Sequence, residues 1–314
     1  MSLTRRHGLK LGLAAAFAPF AAQADETSQI LRLTEPGAEL GEGPLWVPSQ
    51  NTIFWVDIMG KKLHAYRLAD KSQQSWDMPD IIGWVLERTN GGLIVAQRQD
   101  VCFLDLDPFK LTKVATPETQ HPDNRLNDAK VDAKGRLWTG TMHMPFKEKT
   151  AALYRIDADL KVRKMDTPYL CTNGPAFSRD GRRMYHNETA DGIVYAFDVA
   201  DGELSNKRVF AKFAEGEGLP DGCTVDADDG FWVAHYGGGC ISRYLPDGTK
   251  DFDIRMPARN ITSVTFGGEN LDRLFVTSAA QEHRKDDPLA GTLFEVPKPL
   301  LRGHKGLPTN KFAG

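Results

Sequence analysis

The sequence predicts an all-β fold, a six-bladed β-propeller around a central channel, on three observations. Six short apolar runs recur, each entered from a polar, often Gly-containing turn: Phe54-Trp55-Val56, Leu93-Ile94-Val95, Leu137-Trp138-Thr139, Met184-Tyr185-His186, Phe231-Trp232-Val233 and Leu274-Phe275-Val276. From Trp55, through Ile94, Trp138, Tyr185 and Trp232, to Phe275, the intervals are 39, 44, 47, 47 and 43 residues. Roughly 40–50 residues is the length of one four-stranded blade. Beyond the first 24 residues, no stretch keeps apolar residues at i, i+3, i+4 and i+7 over three turns, so helices should be scarce.

The chain opens on what reads as an export leader. Arg5-Arg6 precedes an apolar run from Leu11 to Ala22, and Ala22-Gln23-Ala24 has the A-x-A form of a cleavage site. That run is too short to span a bilayer as a helix, which takes about 20 residues. The twin arginines point to the Tat route and its export machinery, and so to a periplasmic protein. Residues 1–24 are therefore assigned to the signal peptide and 25–314 to one propeller domain. The leader holds Arg5, Arg6 and Lys10 and no acid, so its loss takes the formal charge from -3 to -6. A mildly acidic protein without a basic, aromatic-rich cluster is a poor partner for nucleic acid or, once the leader is gone, for an anionic membrane. Its 41% hydrophobic content suffices for a packed core.

Ser28 to Thr34 reads as a strand at the mature N-terminus, and Gly291 to Val296 as a strand after the sixth anchor. Open sheet edges are a liability, so these two strands should share one blade and close the ring. Between them, Asn90-Gly91-Gly92, Asp132 to Gly135, Arg179-Asp180-Gly181 and Asp228-Asp229-Gly230 supply turns ahead of the apolar runs. Trp55, Trp138 and Trp232 are core residues by their period, whereas Trp84 falls near the channel phase of the second blade, where it would form an apolar wall. Cys102, Cys171, Cys223 and Cys240 contain no C-x-x-C pair and read as buried free thiols. Cys171 and Cys223 each lie two residues from a channel position, an offset that returns to the same strand face.

The polar residues have a phase of their own. Glu42, Asn127, Asn173 and Asp221 precede their anchors by 13, 11, 12 and 11 residues. Equivalent positions in different blades surround one axis, so these side chains should converge on the channel. Glu42 lies in Gly41-Glu-Gly-Pro44, Asn173 in Thr172-Asn-Gly-Pro175 and Asp221 in Leu219-Pro-Asp-Gly222. Each alone is an ordinary turn sequence; the shared phase is what a turn does not explain. Carboxylate, amide and carboxylate form an all-oxygen set suited to a hard divalent cation. Arg125, two residues before Asn127, adds a guanidinium that with the amide would bind a hydroxyl-rich molecule; the competing reading is an ion pair with Asp123 or Asp128. His121, His143 and His235 lack ligand spacing, and no G-x-S-x-G is present for a serine nucleophile.

Gly-Glu-Gly-Pro-Leu-Trp (41–46), Phe-Trp-Val-Asp-Ile (54–58), Asn-Arg-Leu-Asn-Asp-Ala-Lys-Val-Asp (124–132), Gly-Arg-Leu-Trp-Thr-Gly-Thr-Met (135–142), Thr-Asn-Gly-Pro (172–175), Leu-Pro-Asp-Gly (219–222) and Phe-Trp-Val-Ala-His-Tyr-Gly-Gly-Gly (231–239) together resemble the regucalcin/gluconolactonase family. The resemblance runs over nearly the whole mature chain. It implies a six-bladed propeller that hydrolyses a gluconolactone-like sugar lactone to the aldonic acid with one divalent ion, Ca²⁺, Mg²⁺, Mn²⁺ or Zn²⁺. It implies Glu42, Asn173 and Asp221 as metal ligands, Arg125 and Asn127 as substrate contacts, and Asp221 as general base. The chain departs from the pattern at Asn187-Glu188-Thr189, where relatives often carry Asp-Ser, and this bears on the pocket rim. Two other functions fit a channel-centred propeller: a non-catalytic calcium-binding protein, and a quinone-dependent periplasmic sugar dehydrogenase. The second would need a basic cradle for its cofactor, and the residues in phase are acidic or neutral.

Overall fold

In the computed structural model, residues 27–281 and 285–314 are described. The leader, with Arg5, Arg6 and the Ala22–Ala24 site, lies outside them. Six sheets of four antiparallel strands follow one another in chain order. Their innermost strands are Gly41–Val47, Ile82–Glu87, Asn124–Val131, Thr172–Phe177, Leu219–Val225 and Ile261–Gly267, and these define blades 1 to 6. Among the described residues, two short 3-10 turns, Pro48–Gln50 and Lys298–Leu301, are the named helical elements.

All six apolar anchors fall on the second strand of their blade, where both faces are covered. Trp138 and Trp232 are wholly buried, and Trp55 is buried with them. The turn before each of the first two carries the reason. Trp138 Nε1 donates to Asp132 at 2.8 Å and Trp232 Nε1 donates to Asp226 at 2.7 Å. Arg136 and Arg243 bond the same carboxylate oxygens, each at 2.7 Å. A buried indole N–H thus meets a partner, and the Asp–Gly turn is pinned to the strand it feeds.

Blade 6 closes the ring as the termini predict. Its outermost strand is Leu31–Arg32, paired antiparallel with Phe294–Val296. Both are shorter than the expected Ser28–Thr34 and Gly291–Val296. The outer strand has no neighbour beyond it and both its residues are exposed; past it the chain stays tied to the same partner by Leu33 N to the Leu293 carbonyl at 2.9 Å and Leu293 N to Thr34 Oγ1 at 3.0 Å, without continuing the regular ladder.

The inner strands share one irregularity. Each slips register against its neighbour, after Glu42, Ile82, Leu126, Asn173, Pro220 and Ile261 in turn. A bulge leaves residues out of the ladder and re-aims their side chains. It also divides every inner strand into a leading and a trailing half. The trailing halves, with Leu45, Trp84, Val85, Ala176, Val225 and Phe266, line one cavity of about 250 Å³. The C-terminal segment Leu307–Asn310 lies across it. Phe312 beyond that segment is fully buried, its backbone bonded to Glu87 and Thr89 at 2.9 and 2.8 Å.

Candidate active site

Glu42, Asn127, Asn173 and Asp221 sit at the bulges of blades 1, 3, 4 and 5, and all four are buried. The inner strands approach so closely there that a Cβ on Gly222 would collide with the Ser263 side chain. Gly174, at φ +80°, takes a left-handed turn that L side chains resist. These are the glycines that follow Asp221 and Asn173. They let the two polar residues leave the ladder toward the axis.

The structure brings Glu42 and Asp221 into hydrogen-bond contact with each other. Glu42 Oε2 also accepts from Gly43 N at 2.6 Å. Burial is the main cause that holds both carboxyls well above the ordinary range; for Glu42 the neighbouring Asp221 and Asp128 add to it, and for Asp221 the charge of Asp128 does. Two buried carboxyls in contact titrate together, each holding its proton more tightly than a solvated carboxyl does. Asn127 Nδ2 donates to Asn173 Oδ1 at 3.1 Å and to the Thr172 carbonyl at 2.6 Å. Arg125 is buried beside them and donates Nη1 to the Leu126 carbonyl at 3.0 Å. Burial lowers its pKa, and the charges of Cys171, Glu42 and Asp221 oppose that shift. Among the described residues Arg125 forms no ion pair with Asp123 or Asp128, so the competing reading of this residue is not what the fold does.

Asp128 is the residue that sequence reasoning missed as part of this cluster. The bulge of blade 3 turns it inward, where Oδ1 accepts from Ala129 N at 2.7 Å and Oδ2 from Gly174 N at 2.8 Å. Burial raises its pKa, against the opposing charge of Lys130. The signal was its place beside Asn127; only the bulge puts two consecutive side chains on one side. The remaining candidates fall elsewhere. Trp84 walls the trailing cavity and donates Nε1 to Thr139 at 2.9 Å. His143 Nδ1 accepts from Glu148 N at 2.9 Å and shapes the loop after its strand. His235 is packed between Glu217 and Ser242. The four cysteines are free and buried; burial, the largest cause, and the charge of Asp221 push the Cys171 thiol up to about 12, while Cys223 packs against Gly174.

The donor chemistry fits a hard cation. Glu42, Asn173 and Asp221 offer only oxygens, and a positive ion would offset the burial cost, and the added acidic charge, that lift both carboxyls. A second group, Asp226, Asp228 and His304, places its ligand atoms within 4.8 Å of one another. Asp226 is already committed there, to the N–H groups of Asp228 and Gly230 and to Trp232 and Arg243, so that group is an ion-pair knot.

Residues 40–280 match the family described as the SMP-30/Gluconolactonase/LRE-like region. The chain belongs to this family. It is 34% identical to a 6-deoxy-6-sulfogluconolactonase of Pseudomonas putida, over 81% of this chain and 90% of that one. It is 35% identical to a pentonolactonase of Haloferax volcanii, over 85% and 94%. A crystal structure of regucalcin from Agrobacterium tumefaciens, described as a calcium-binding protein, superposes with a TM-score of 0.84 at 27% identity, covering 90% of this chain and 97% of that one. These relatives support hydrolysis of sugar lactones and favour neither of the two other functions considered for the channel.

Proposed function

We propose that the protein is a metal-dependent sugar lactonase that opens a gluconolactone-like ring to the aldonic acid. The observation that carries this reading is the buried Glu42–Asp221 carboxyl pair at the bulges of the inner strands, with the buried Arg125 guanidinium in electrostatic reach of both. Glu42, Asn173 and Asp221 would hold one divalent ion, Ca²⁺, Mg²⁺, Mn²⁺ or Zn²⁺, and it would supply the Lewis acidity that polarises a lactone carbonyl and acidifies water.

The chain's own residues do the rest. Asp221 takes a proton from water as the water oxygen bonds to the carbonyl carbon. When the ring C–O bond breaks, the same proton passes to the departing alkoxide, leaving a hydroxy acid. Arg125 has donors to spare beyond Leu126, and with the free Oδ1 of Asn127 it orients the sugar hydroxyls. A protein that only bound ions would have no use for that pair.

A panel of aldonolactones, assayed with metal-stripped and re-metallated protein, tests the reading. Ring opening that depends on added metal is the expected result; no ring opening of any lactone by the re-metallated protein would overturn it. We also propose a Tat-exported, periplasmic protein, on the twin arginines and the A-x-A site. N-terminal sequencing of protein recovered from the periplasm should begin near Asp25.

A further inference from the structure

The polar network around the site ends on a backbone carbonyl at each side, and those ends set the direction of every hydrogen bond between them. A carbonyl can only accept. The Thr189 hydroxyl, 2.8 Å from the Pro220 oxygen, therefore commits its single hydrogen there. Its lone pairs face Asn173 at 2.9 Å, so the Asn173 atom in contact must be the amide nitrogen. That turns Asn173 Oδ1 to the opposite side, where Asn127 Nδ2 meets it at 3.1 Å. Asn127 is fixed in its turn by the Thr172 carbonyl, 2.6 Å from the same nitrogen. Rotating the Asn173 amide by half a turn would set its nitrogen against the Asn127 nitrogen and its oxygen against the Thr189 lone pairs.

This matters because an amide has one coordinating end. A carboxylate can rotate freely and still present an oxygen; an asparagine ligand needs something that tells it which way to face. Thr189 opens the turn just past the second strand of blade 4, Arg183–Glu188, and its partner Pro220 directly precedes Asp221. From the same strand, Asn187 Nδ2 donates to the Asp221 carbonyl at 2.6 Å. The Asn187-Glu188-Thr189 segment thus spans from blade 4 to blade 5, touching one ligand by its side chain and the other by its backbone.

We propose that Thr189 is a positioning residue for the cation site. Its hydroxyl holds the Asn173 oxygen inward and ties that amide to the backbone carrying Asp221. The inference rests on the proposed reading of Glu42, Asn173 and Asp221 as a cation site. Residues that orient a ligand from behind commonly change metal affinity by about 10–100-fold when removed.

The test is a cation-affinity measurement by calorimetry, with Ca²⁺ and Mn²⁺ as probes, on wild type, Thr189→Val and Thr189→Ser. The same substitutions are repeated alongside Asn173→Asp. Thr189→Val should weaken binding about 10–100-fold, and Thr189→Ser, which keeps the hydroxyl, should match wild type. Alongside Asn173→Asp, Thr189→Val should change affinity by no more than about twofold, the scatter of independent sites, because a carboxylate needs no orienting. Should the valine variant fail to fold, Thr189→Ala carries the same comparison. Unchanged affinity in Thr189→Val, or an equal loss in both backgrounds, overturns the positioning role while leaving the cation site standing. Absence of binding by wild type overturns the cation site and the positioning role with it.

Discussion

The two ends of the channel are built from the same six inner strands and obey opposite rules. On the leading side, the Glu42 and Asp221 carboxyls meet at their bulges, with Asp128 behind them at the rim of the trailing cavity; burial raises all three pKa values, and nearby acidic charge adds to the shift of Glu42 and Asp221. On the trailing side, Leu45, Val85, Val225 and Phe266 pack toward the cavity, and the C-terminal segment is sewn on by backbone bonds. Phe312 joins Glu87 and Thr89, Gly306 joins Leu271 at 2.7 Å, and Ala313 joins Gly135 at 3.0 Å. One end gathers buried carboxyls, and the other is anchored by the apolar packing around Phe312 and the backbone bonds of the C-terminal segment. Unfavourable clusters of this kind are common where a protein binds or reacts.

The comparison breaks first under chelation. Stripping the metal should abolish lactone hydrolysis, and full turnover in thoroughly metal-free protein would remove the cation from the leading end. Next in size is Asp221→Asn, which keeps an oxygen but not the capacity to take a proton. Its kcat at saturating metal should fall by roughly 10²–10⁴-fold, after subtraction of spontaneous hydrolysis; near-normal kcat would leave Asp221 a ligand only. Phe312→Ala acts at the other end. It should cost about 3–5 kcal/mol in denaturant unfolding with cation affinity unchanged, and a parallel loss of affinity would show that the two ends are not separable.

A smaller effect is expected from pH. A carboxyl that titrates higher in the folded chain keeps a proton the unfolded chain has already released. Stability therefore falls as pH rises from the ordinary carboxylate range toward the raised value. Buried His186, pushed down to about 3 by desolvation, acts in the opposite sense as pH rises from that value toward the ordinary histidine range. The informative quantity is thus the Tm of metal-free wild type minus that of Asp221→Asn, which share His186. That difference should decline with rising pH, and saturating cation should cancel the decline. Smallest is His304→Ala, at the Asp226–Asp228 knot. Cation stoichiometry measured by calorimetry should not change, and loss of a bound ion would make that knot a second site.

Much of this was legible from periodicity. The blade count, the second-strand position of Trp138 and Trp232, and the axial phase of Glu42, Asn173 and Asp221 follow from alternation and turn residues, which are local properties. The bulges were not legible, since a register slip is a relation between two strands. For that reason Asp128 looked like an ion-pair partner for Arg125. The role of the C-terminal segment was hidden too. Nothing in Leu307 to Ala313 distinguishes a loose end from one that inserts Phe312 between blades; only the distant Glu87 and Gly135 backbone groups do.

Blade 6 is completed by a pair, Leu31 with Glu295, drawn from nearly opposite ends of the chain. A growing chain cannot form it until Glu295 has been made. At about 5–20 residues per second, the first strand waits on the order of 10–50 s for its partner. During that interval, Leu31–Arg32 and the flank of blade 1 stand without their partners. A transport route that accepts only finished rings must therefore wait until Glu295 has been made and paired, and one that threads unfolded chain must seize it before then.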